Sequence, residues 1–588
     1  GLLAVQRSGE PGADQSELRI RGVGTFSGSQ GPLIMVDGIE TGNYNNIDPN
    51  EIESITILKD ASATAVYGVR GANGVLLITT RRGAEGKPQV SFSSNYAFSQ
   101  FTDLRESARA YDYVTSFNKA RAYDSYVTGT NNPKFTDEQV NTYNPELLKS
   151  NPDKVNPILH PDMDWFDVMF KPTSAQAQYN LNVSGGAERV RYFMSAGYFN
   201  QEGLFSDDIA QAMDAYNAQP KYQRYNFRSN LDFTITDRFK AQVNVSSQIE
   251  QRRGNTANLS RTIEIITKSN PINTPGIVDG RLIAPEITGP GAANGPDQLL
   301  RSDYRRHYRN YLNGSIQLSY DLSALTQGLD AHGKVSYQTY NSQNQNFGNA
   351  MIRYRPRMLD DGTLLYIPVD TDSPISFNES VEKNRREYVE FGFNYKRTIF
   401  RDHDIGGLVM YNHSKLYDPE LAYLIPRGYQ GLVGRVTYSY KDRYLAEFNI
   451  GYNGTENFAE GKRFGLFPAY SLGWVVSEET FFPENDILTF LKIRGSMGEV
   501  GNDRVGGERF LYMPSAYVYH SNWNYYFGDI NNLNSYAAST EDTPGNPNLT
   551  WERAKKRNIG IEASLWNERI SVSADLFEET RDNILASL

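Results

Sequence analysis

The segment RYNFRSNLDFTIT, residues 224–236, alternates almost without a break. Tyr225, Phe227, Leu231, Phe233 and Ile235 fall on one face, and Arg224, Asn226, Arg228, Asn230 and Asp232 on the other. Successive side chains of a strand point to opposite faces, so such a stretch makes a strand that is apolar on one side and polar on the other. AQVNVSSQIE (241–250) repeats the pattern, with Val243, Val245 and Ile249 against Gln242, Asn244, Ser246 and Gln248. The same alternation marks YNLNVSG (179–185), YLNGSIQLSY (311–320), YVEFGFNYK (388–396), YLAEFNIGYN (444–453) and ISVSADLF (570–577). Roughly 15 such strands run from residue 88 onward, judged by period-two matching.

The joints between them decide the architecture. Short joints lie near 185–188, 236–238, 400–404, 441–443 and 566–569; long ones span about 102–175, 202–223, 252–303, 344–384 and 503–549. Short and long joints alternate. A meander with tight turns at one end and long loops at the other is the grammar of an outer-membrane β-barrel. A soluble sandwich also alternates its faces, but it does not sort its loops by length in this way. Tyrosine (39) and phenylalanine (29) outnumber tryptophan (5), which suits strands with aromatic ends. No run of 18 apolar residues occurs, so no helix of the required length and apolarity is encoded. A barrel that stopped at the last strand, 568 to about 585, would leave two unpaired edges in lipid, so further strands are expected to follow.

Residues 1–87 read as a small mixed α/β unit. Short apolar runs appear at LRIRG (18–22), PLIMVDG (32–38), SITILK (54–59) and GVLLITT (74–80). In DPNEIES, Asp48 reads as a cap, Pro49 as the first helical residue and Glu51 as the reciprocal partner of a capping box. A second helix is expected through ASATAVY, capped by Asp60 and closed by Gly68. Asp37-Gly38 signals a tight hairpin.

The stretch KDASATAVYGVRGANGVLLITT (59–80) spaces Gly68, Gly71 and Gly74 three apart. A phosphate-binding loop follows a strand and opens a helix. Here the order is reversed, because Gly68 ends a helix and the cluster leads into a strand. The glycines instead serve close backbone approach and positive φ. Arg70 lies at their centre, either as a latch onto a wall carboxylate or as a solvent-facing loop side chain.

These residues carry a resemblance. SITILKDASATAVYGVRGANGVLLITTRRG, with PLIMVDG and ELRIRGVGTF upstream, resembles the plug signature of SusC/RagA-like TonB-dependent outer-membrane transporters of Bacteroidetes. Along the barrel, DMDWFDVMF (162–170), RFGLFPAYSLGWVVSEETFF (463–482), LKIRGSMGEVGN (491–502) and GNPNLTWERAKKRNIGIEASLWNERISVSADLF (545–577) resemble the same family, in the family's order. The plug signature comprises Asp37, Gly38, Asp60, Gly68, Arg70, Gly71 and Gly74. The resemblance implies a plug domain, 1–87, inside a membrane β-barrel, 88–588, whose complete form has about 22 antiparallel strands. It implies TonB-dependent active import of oligosaccharides across the outer membrane, or of oligopeptides as in the RagA type. A surface receptor that captures ligand without transport is a further reading. The implied partners are a SusD-like surface lipoprotein acting as a lid, the TonB–ExbB–ExbD system, outer-membrane lipid, and a second transporter–lid pair in a dimer. A full-length relative would also carry an N-terminal extension and a TonB-binding segment ahead of Gly1.

Other chemistry is thinly supported. Net charge is −10, which disfavours nucleic acid, and there is no cysteine to make disulfides or thiolate metal sites. The six histidines, at 160, 307, 332, 403, 413 and 520, form no HExxH pattern. No nucleophile elbow or other catalytic set appears, so the chain is not read as an enzyme. No cofactor is implied. Asp162 and Asp164 could hold a structural calcium, but the 12-residue calcium pattern is missing and solvated loop carboxylates fit better. Ligand contact is expected from aromatics on long loops, with YVYHSNWNYYFGD (517–529) the richest cluster. Trp523, Tyr525 and Tyr526 there suit stacking on sugar faces, or else pack the loop or dock the lid.

Overall fold

The computed structural model describes the chain except residues 1, 7, 25–29, 43, 45–46, 65, 68–70, 130–132, 151–154, 215–218, 257–258, 286–294, 302, 349–350, 372–373, 422–423, 484–485, 504–508, 515–517, 530–531, 541–543 and 586–588.

The N-terminal unit holds six strands: β1 (Leu2–Gln6), β2 (Ser16–Ile20), β3 (Leu33–Val36), β4 (Ile39–Glu40), β5 (Ile52–Leu58) and β6 (Val75–Thr80). β1 and β2 form a separate hairpin, while the other four make one sheet in the order β4-β3-β6-β5 with β3 and β6 parallel. The sheet's two faces are buried by Leu33, Met35 and Val75 on one side and Ile34, Leu76 and Ile78 on the other. Burial on both faces explains why these strands read as continuous apolar runs rather than alternating ones. Asp37 (φ 50°) and Gly38 (φ 80°) turn β3 into β4, as the Asp-Gly pair predicts.

Both expected helices are shorter than the sequence implies. Pro49–Glu51 is a single 3₁₀ turn, capped by Asp48, whose carboxylate accepts from Asn50 N. Glu51 does not reach back to the cap, because its carboxylate is used across the lumen. The second helix, α1 (Ala61–Thr64), is one turn, and Val66 and Tyr67 continue as 3₁₀. Its expected end at Gly68 lies outside the described residues.

The wall begins with β7 (Gly86–Ser99), β8 (Ser174–Ala187), β9 (Val190–Glu202), β10 (Lys221–Thr236) and β11 (Phe239–Asn255). Two short strands, β12 (Ile277–Val278) and β13 (Arg281–Ile283), then lie in a loop before β14 (Tyr304–Asp321) and β15 (Leu329–Gly348). β16 (Arg353–Met358) and β17 (Leu364–Pro368) lie in the next loop, before β18 (Ser376–Ile399) and β19 (His403–Tyr417). The wall continues through β20 (Arg427–Tyr440), β21 (Tyr444–Thr455), β22 (Phe464–Val475) and β23 (Leu488–Asn502). A loop hairpin, β24 (Val518–Asp529) and β25 (Asn532–Thr540), precedes the last wall strands, β26 (Glu552–Leu565) and β27 (Ile570–Asp582). Fifteen strands pair in chain order from β7 to β27, each antiparallel to the next.

Register lines up like with like across the wall. Asn230 faces Asn244, Asn244 faces Ser315 and Ser315 faces Ser336, so one polar row crosses four strands. One residue along, Leu231, Val243, Ile316, Val335 and Val389 form an apolar row across five. Burial is inverted relative to a soluble protein. Asn230 is 0% exposed and Val335 56%. A sheet with amides inside and aliphatic side chains outside fits lipid around it and a filled polar lumen within.

The long loops build a cap at one end. Strands β12, β13, β16 and β17 pair into a small sheet. Beneath it pack Trp165, Phe166 and Met169 of α2 (Trp165–Met169), Ile209 and Met213, and Ile266. The paired carboxylates of the sequence are structural here. Asp164 caps α2 by accepting from Phe166 N and Asp167 N, and Asp162 accepts from Arg109 and from Ala110 N. Among the described residues no group of three or more potential metal-binding side chains occurs.

Candidate functional site

The N-terminal unit sits in the lumen, and polar side chains on its rim meet the polar face of the wall. Glu51 is buried among these, 3% exposed. Its carboxylate accepts from Arg228 Nε at 2.7 Å and from Ser195 Oγ at 2.7 Å. Arg228 lies on the polar face of the strand that opened the sequence reading, and β10 presents it inward between Asn226 and Asn230. Asn230 Nδ2 donates to Thr80 Oγ1 and to the Arg81 carbonyl, both at 2.8 Å. Arg82 completes this side, pairing with Asp232 at 2.6 Å.

On the next strands, Glu40 pairs with Arg386 at 2.6 Å and its carbonyl accepts from Gln338. Asp37 does two jobs. Its carboxylate ties the turn to Thr80 N (2.9 Å), while its carbonyl accepts from Lys334 Nζ at 3.2 Å. Asp60, ahead of α1, meets Arg21 at 2.9 Å, Arg494 at 3.5 Å and Asn558 Nδ2 at 3.3 Å. Lys556 Nζ donates to the Ala72 carbonyl at 2.6 Å.

The glycines of the signature have separate uses. Gly74 needs its φ of 87°, and a Cβ there would lie 3.0 Å from the Leu58 carbonyl and 2.8 Å from Ile20. Gly71 has no such φ; a Cβ there would press on Thr64 Cβ at 2.9 Å. Gly68 and Arg70 lie outside the described residues. Ionic ties such as Glu51–Arg228, Glu40–Arg386 and Asp60–Arg494 have no local signal in the sequence. Arg228 was visible as a charge on an otherwise amide-rich strand face, but nothing in the chain order names its partner.

A cavity of about 530 Å³ opens above this interface, between the plug surface and strands β10 to β19. Asn244, Ser246, Gln248, Asn313 and Gln338 line its wall. Tyr311 and Tyr340 face it as a pair, with ring centroids 4.8 Å apart. Its arginines are matched by carboxylates: Arg228 by Glu51, Arg386 by Glu40 and Arg309 by Glu250 at 3.5 Å. The chamber therefore offers amides, hydroxyls and two aromatic faces with its charges already balanced.

Trp523, Tyr525 and Tyr526 lie elsewhere, on the β24–β25 hairpin, and are 62%, 61% and 61% exposed. Within the hairpin Trp523 stacks on His520 with ring centroids 4.6 Å apart, and Tyr525 meets Phe527 at 6.5 Å.

Comparison with known proteins agrees with this architecture. Residues 1–75 match the TonB-dependent Receptor Plug Domain family. The chain is 27% identical, over its full length, to the TonB-dependent receptor P26 of Formosa agariphila, covering 56% of that protein. It is 25% identical over its full length to the TonB-dependent receptor SusC of Bacteroides thetaiotaomicron, covering 57% of it. The chain thus spans little more than half the length of these curated relatives. The structure of the RagAB peptide transporter superposes with a TM-score of 0.76 at 20% identity, over 100% of this chain and 65% of that one. These relatives are receptors and transporters rather than enzymes. A plug of matching family, its seat inside a fifteen-stranded wall, and full-length similarity to named receptors converge. The chain is thus similar, along its whole length, to TonB-dependent receptors such as SusC, with their plug family at its N-terminus.

Proposed function

We propose that the protein imports oligosaccharides across the outer membrane in a TonB-dependent cycle, with a SusD-like surface lipoprotein as its lid. The carrying observation is the chamber above the plug. Amide and hydroxyl side chains suit the many donors and acceptors of a sugar, and the Tyr311–Tyr340 pair suits its apolar face. Pre-paired arginines leave little free charge to attract an anionic ligand. The cap of long loops gives a lid protein a broad surface at the open end of the lumen. Energy coupling fits the polar character of the plug interface, since ion pairs and hydrogen bonds can be exchanged for water during movement.

An oligopeptide cargo is the second reading. Amides pair with peptide backbone as well as with hydroxyls. Uptake assays separate the readings. Cells carrying the full-length receptor are expected to accumulate labelled neutral oligosaccharides and to stop when TonB is deleted. Accumulation of oligopeptides instead selects the second reading. Uptake that persists without TonB overturns the mechanism, and surface binding with no uptake makes the protein a receptor alone. Copurification of a surface lipoprotein tests the lid.

A further inference from the structure

The outward face of the wall is apolar along most of β10, β11 and β14, where Phe227, Val245 and Leu312 stand exposed. From Tyr225 to Ile235 every outward residue of β10 except Ser229 is apolar or aromatic. Ten steps of a strand tilted about 40° climb about 25 Å, the height of the apolar band of an outer-membrane barrel. Aromatic rings mark both edges of that band. Tyr179, Tyr198 and Tyr225 form a ladder at the upper edge, with ring centroids 6.4 and 5.0 Å apart. Phe239 and Tyr320, 6.3 Å apart, stand at the lower edge beside the short joint at 237–238.

Above the tyrosines, toward the long loops, the same outward face turns basic. Lys221 of β10 lies directly opposite Arg253 of β11, and Arg253 directly opposite Arg306 of β14. Three cations therefore stand side by side in one row, about 13 Å along the strand from Tyr225. All three residues are half-buried. Like charges directly opposite on neighbouring strands destabilise a sheet. The acids of this row stand only at its ends. Glu202 meets Lys221 at 3.7 Å. Glu379, two strands beyond Arg306, accepts from Gln343 and Gln345 at 2.5 and 2.9 Å. Arg306 lies 5.4 Å from the centre of the Phe347 ring, and among the described residues no carboxylate forms an ion pair with it. One row closer to the band, Gln223, Gln251 and Tyr308 lie opposite one another on the same face and add amide and hydroxyl groups.

The height and the chemistry of the row point to the same ligand. The first anions above the hydrocarbon of a membrane are the phosphates of its lipid headgroups. A guanidinium presents a planar fork of donors that matches phosphate oxygens, and two of them side by side can share one phosphate. We propose that Lys221, Arg253 and Arg306 form a binding site for the phosphate of an outer-leaflet glycolipid of the lipid A type, whose acyl chains lie on the apolar band below. The bound phosphate offsets the repulsion within the row. These three strands also carry the loops at 202–221 and 255–304, so the lipid fixes the base of the cap.

Lipid binding is read without transport, so the test does not depend on the import reading. Full-length receptor in an uncharged detergent is titrated with fluorescent lipid A, with the same lipid dephosphorylated, and with inorganic phosphate as competitor. The phosphorylated lipid is expected to bind about tenfold more tightly than the dephosphorylated one, and Arg253→Gln with Arg306→Gln to abolish that preference. Arg252→Gln removes a cation that faces inward from the same strand and meets Glu10 of the plug at 2.6 Å; the preference is expected to survive it. Equal binding of the two lipids by the parent, an undiminished preference in the double variant, or its loss in Arg252→Gln each overturns the site. Displacement of the lipid by an equal concentration of inorganic phosphate makes this a free-anion site and overturns the lipid assignment. Arg306→Lys, which keeps the charge, is expected to retain the preference that Arg306→Gln weakens; the same result from both overturns the role of charge. Phosphorylated lipid is also expected to raise the unfolding temperature of the parent and not that of the double variant, and an equal rise in both overturns the proposal.

Discussion

Arg228 on the wall and Glu51 on the plug are joined at 2.7 Å, and both side chains are less than one-tenth exposed. A buried pair is costly to break from one side, because the remaining charge is left without a partner. Glu51→Ala is therefore expected to loosen the docked plug by about 3 kcal/mol. The double change Glu51→Ala with Arg228→Ala should cost less than the sum of the single ones. Protease protection of the plug in the assembled receptor measures both; additive losses would mean that the two residues act independently.

Gly74→Val is expected to displace the start of β6. The positive φ alone costs an L-residue about 1–2 kcal/mol, and the Leu58 carbonyl and Ile20 leave no room for a branched side chain. Gly71→Val meets Thr64 instead, so its effect should centre on α1. Hydrogen exchange of β6 and of α1 distinguishes the two. Equal effects on both elements would contradict the separate roles.

The cap should respond to acid through Asp370. Hydrogen bonds from Arg353, at 2.9 Å, hold its carboxyl down to about 2. A carboxyl whose folded value is depressed adds stability above its unfolded value, near 3.9, and loses it as pH falls toward the folded one. The contribution is thus present at neutral pH and vanishes between about pH 4 and pH 2. Asp297 beside it works the other way, since burial raises its carboxyl and favours the protonated form. Asp370→Asn is expected to flatten the acid dependence of loop proteolysis in that window. An unaltered profile would show that the pair is not felt.

Trp165 is 1% exposed and donates from its ring nitrogen to the Asn270 carbonyl at 3.0 Å. Trp165→Ala should cost about 3–5 kcal/mol, confined to the cap. Loop proteolysis is expected to rise while the heat-resistant migration of the barrel on gels stays unchanged. Loss of the folded barrel band would mean that cap and wall fold as one unit.

Trp523, Tyr525 and Tyr526 stand on an exposed hairpin, so changing each to alanine should leave folding within about 0.5 kcal/mol of the parent. Ligand binding and lid copurification, measured side by side, then show which of the two these rings serve. No change in either would remove them from the site.

The wall was readable because a strand with water-like contents on one side and lipid on the other must alternate at every residue. Tyr225 to Asp232 shows this directly, and its polar members turn inward while Phe227 stays 49% exposed. The hairpin at Asp37-Gly38 was readable for a local reason, the positive φ of both residues. Helix lengths were not. The capping pattern at Asp48–Glu51 favours a helix, but Glu51 gains more from Arg228 and Ser195, and the segment stops after one turn.

Period, turn chemistry and loop length are properties of neighbours in sequence, and through them the chain alone determines a strand meander around a small α/β unit. Partnership across the lumen is different. Glu51 lies 177 residues from Arg228, and Asp60 lies 498 from Asn558. Which carboxylate meets which arginine, and where a chamber opens above the plug, depend on the register and curvature of fifteen strands together. Only the tertiary structure decides these, because each contact is set by every hairpin between its two ends.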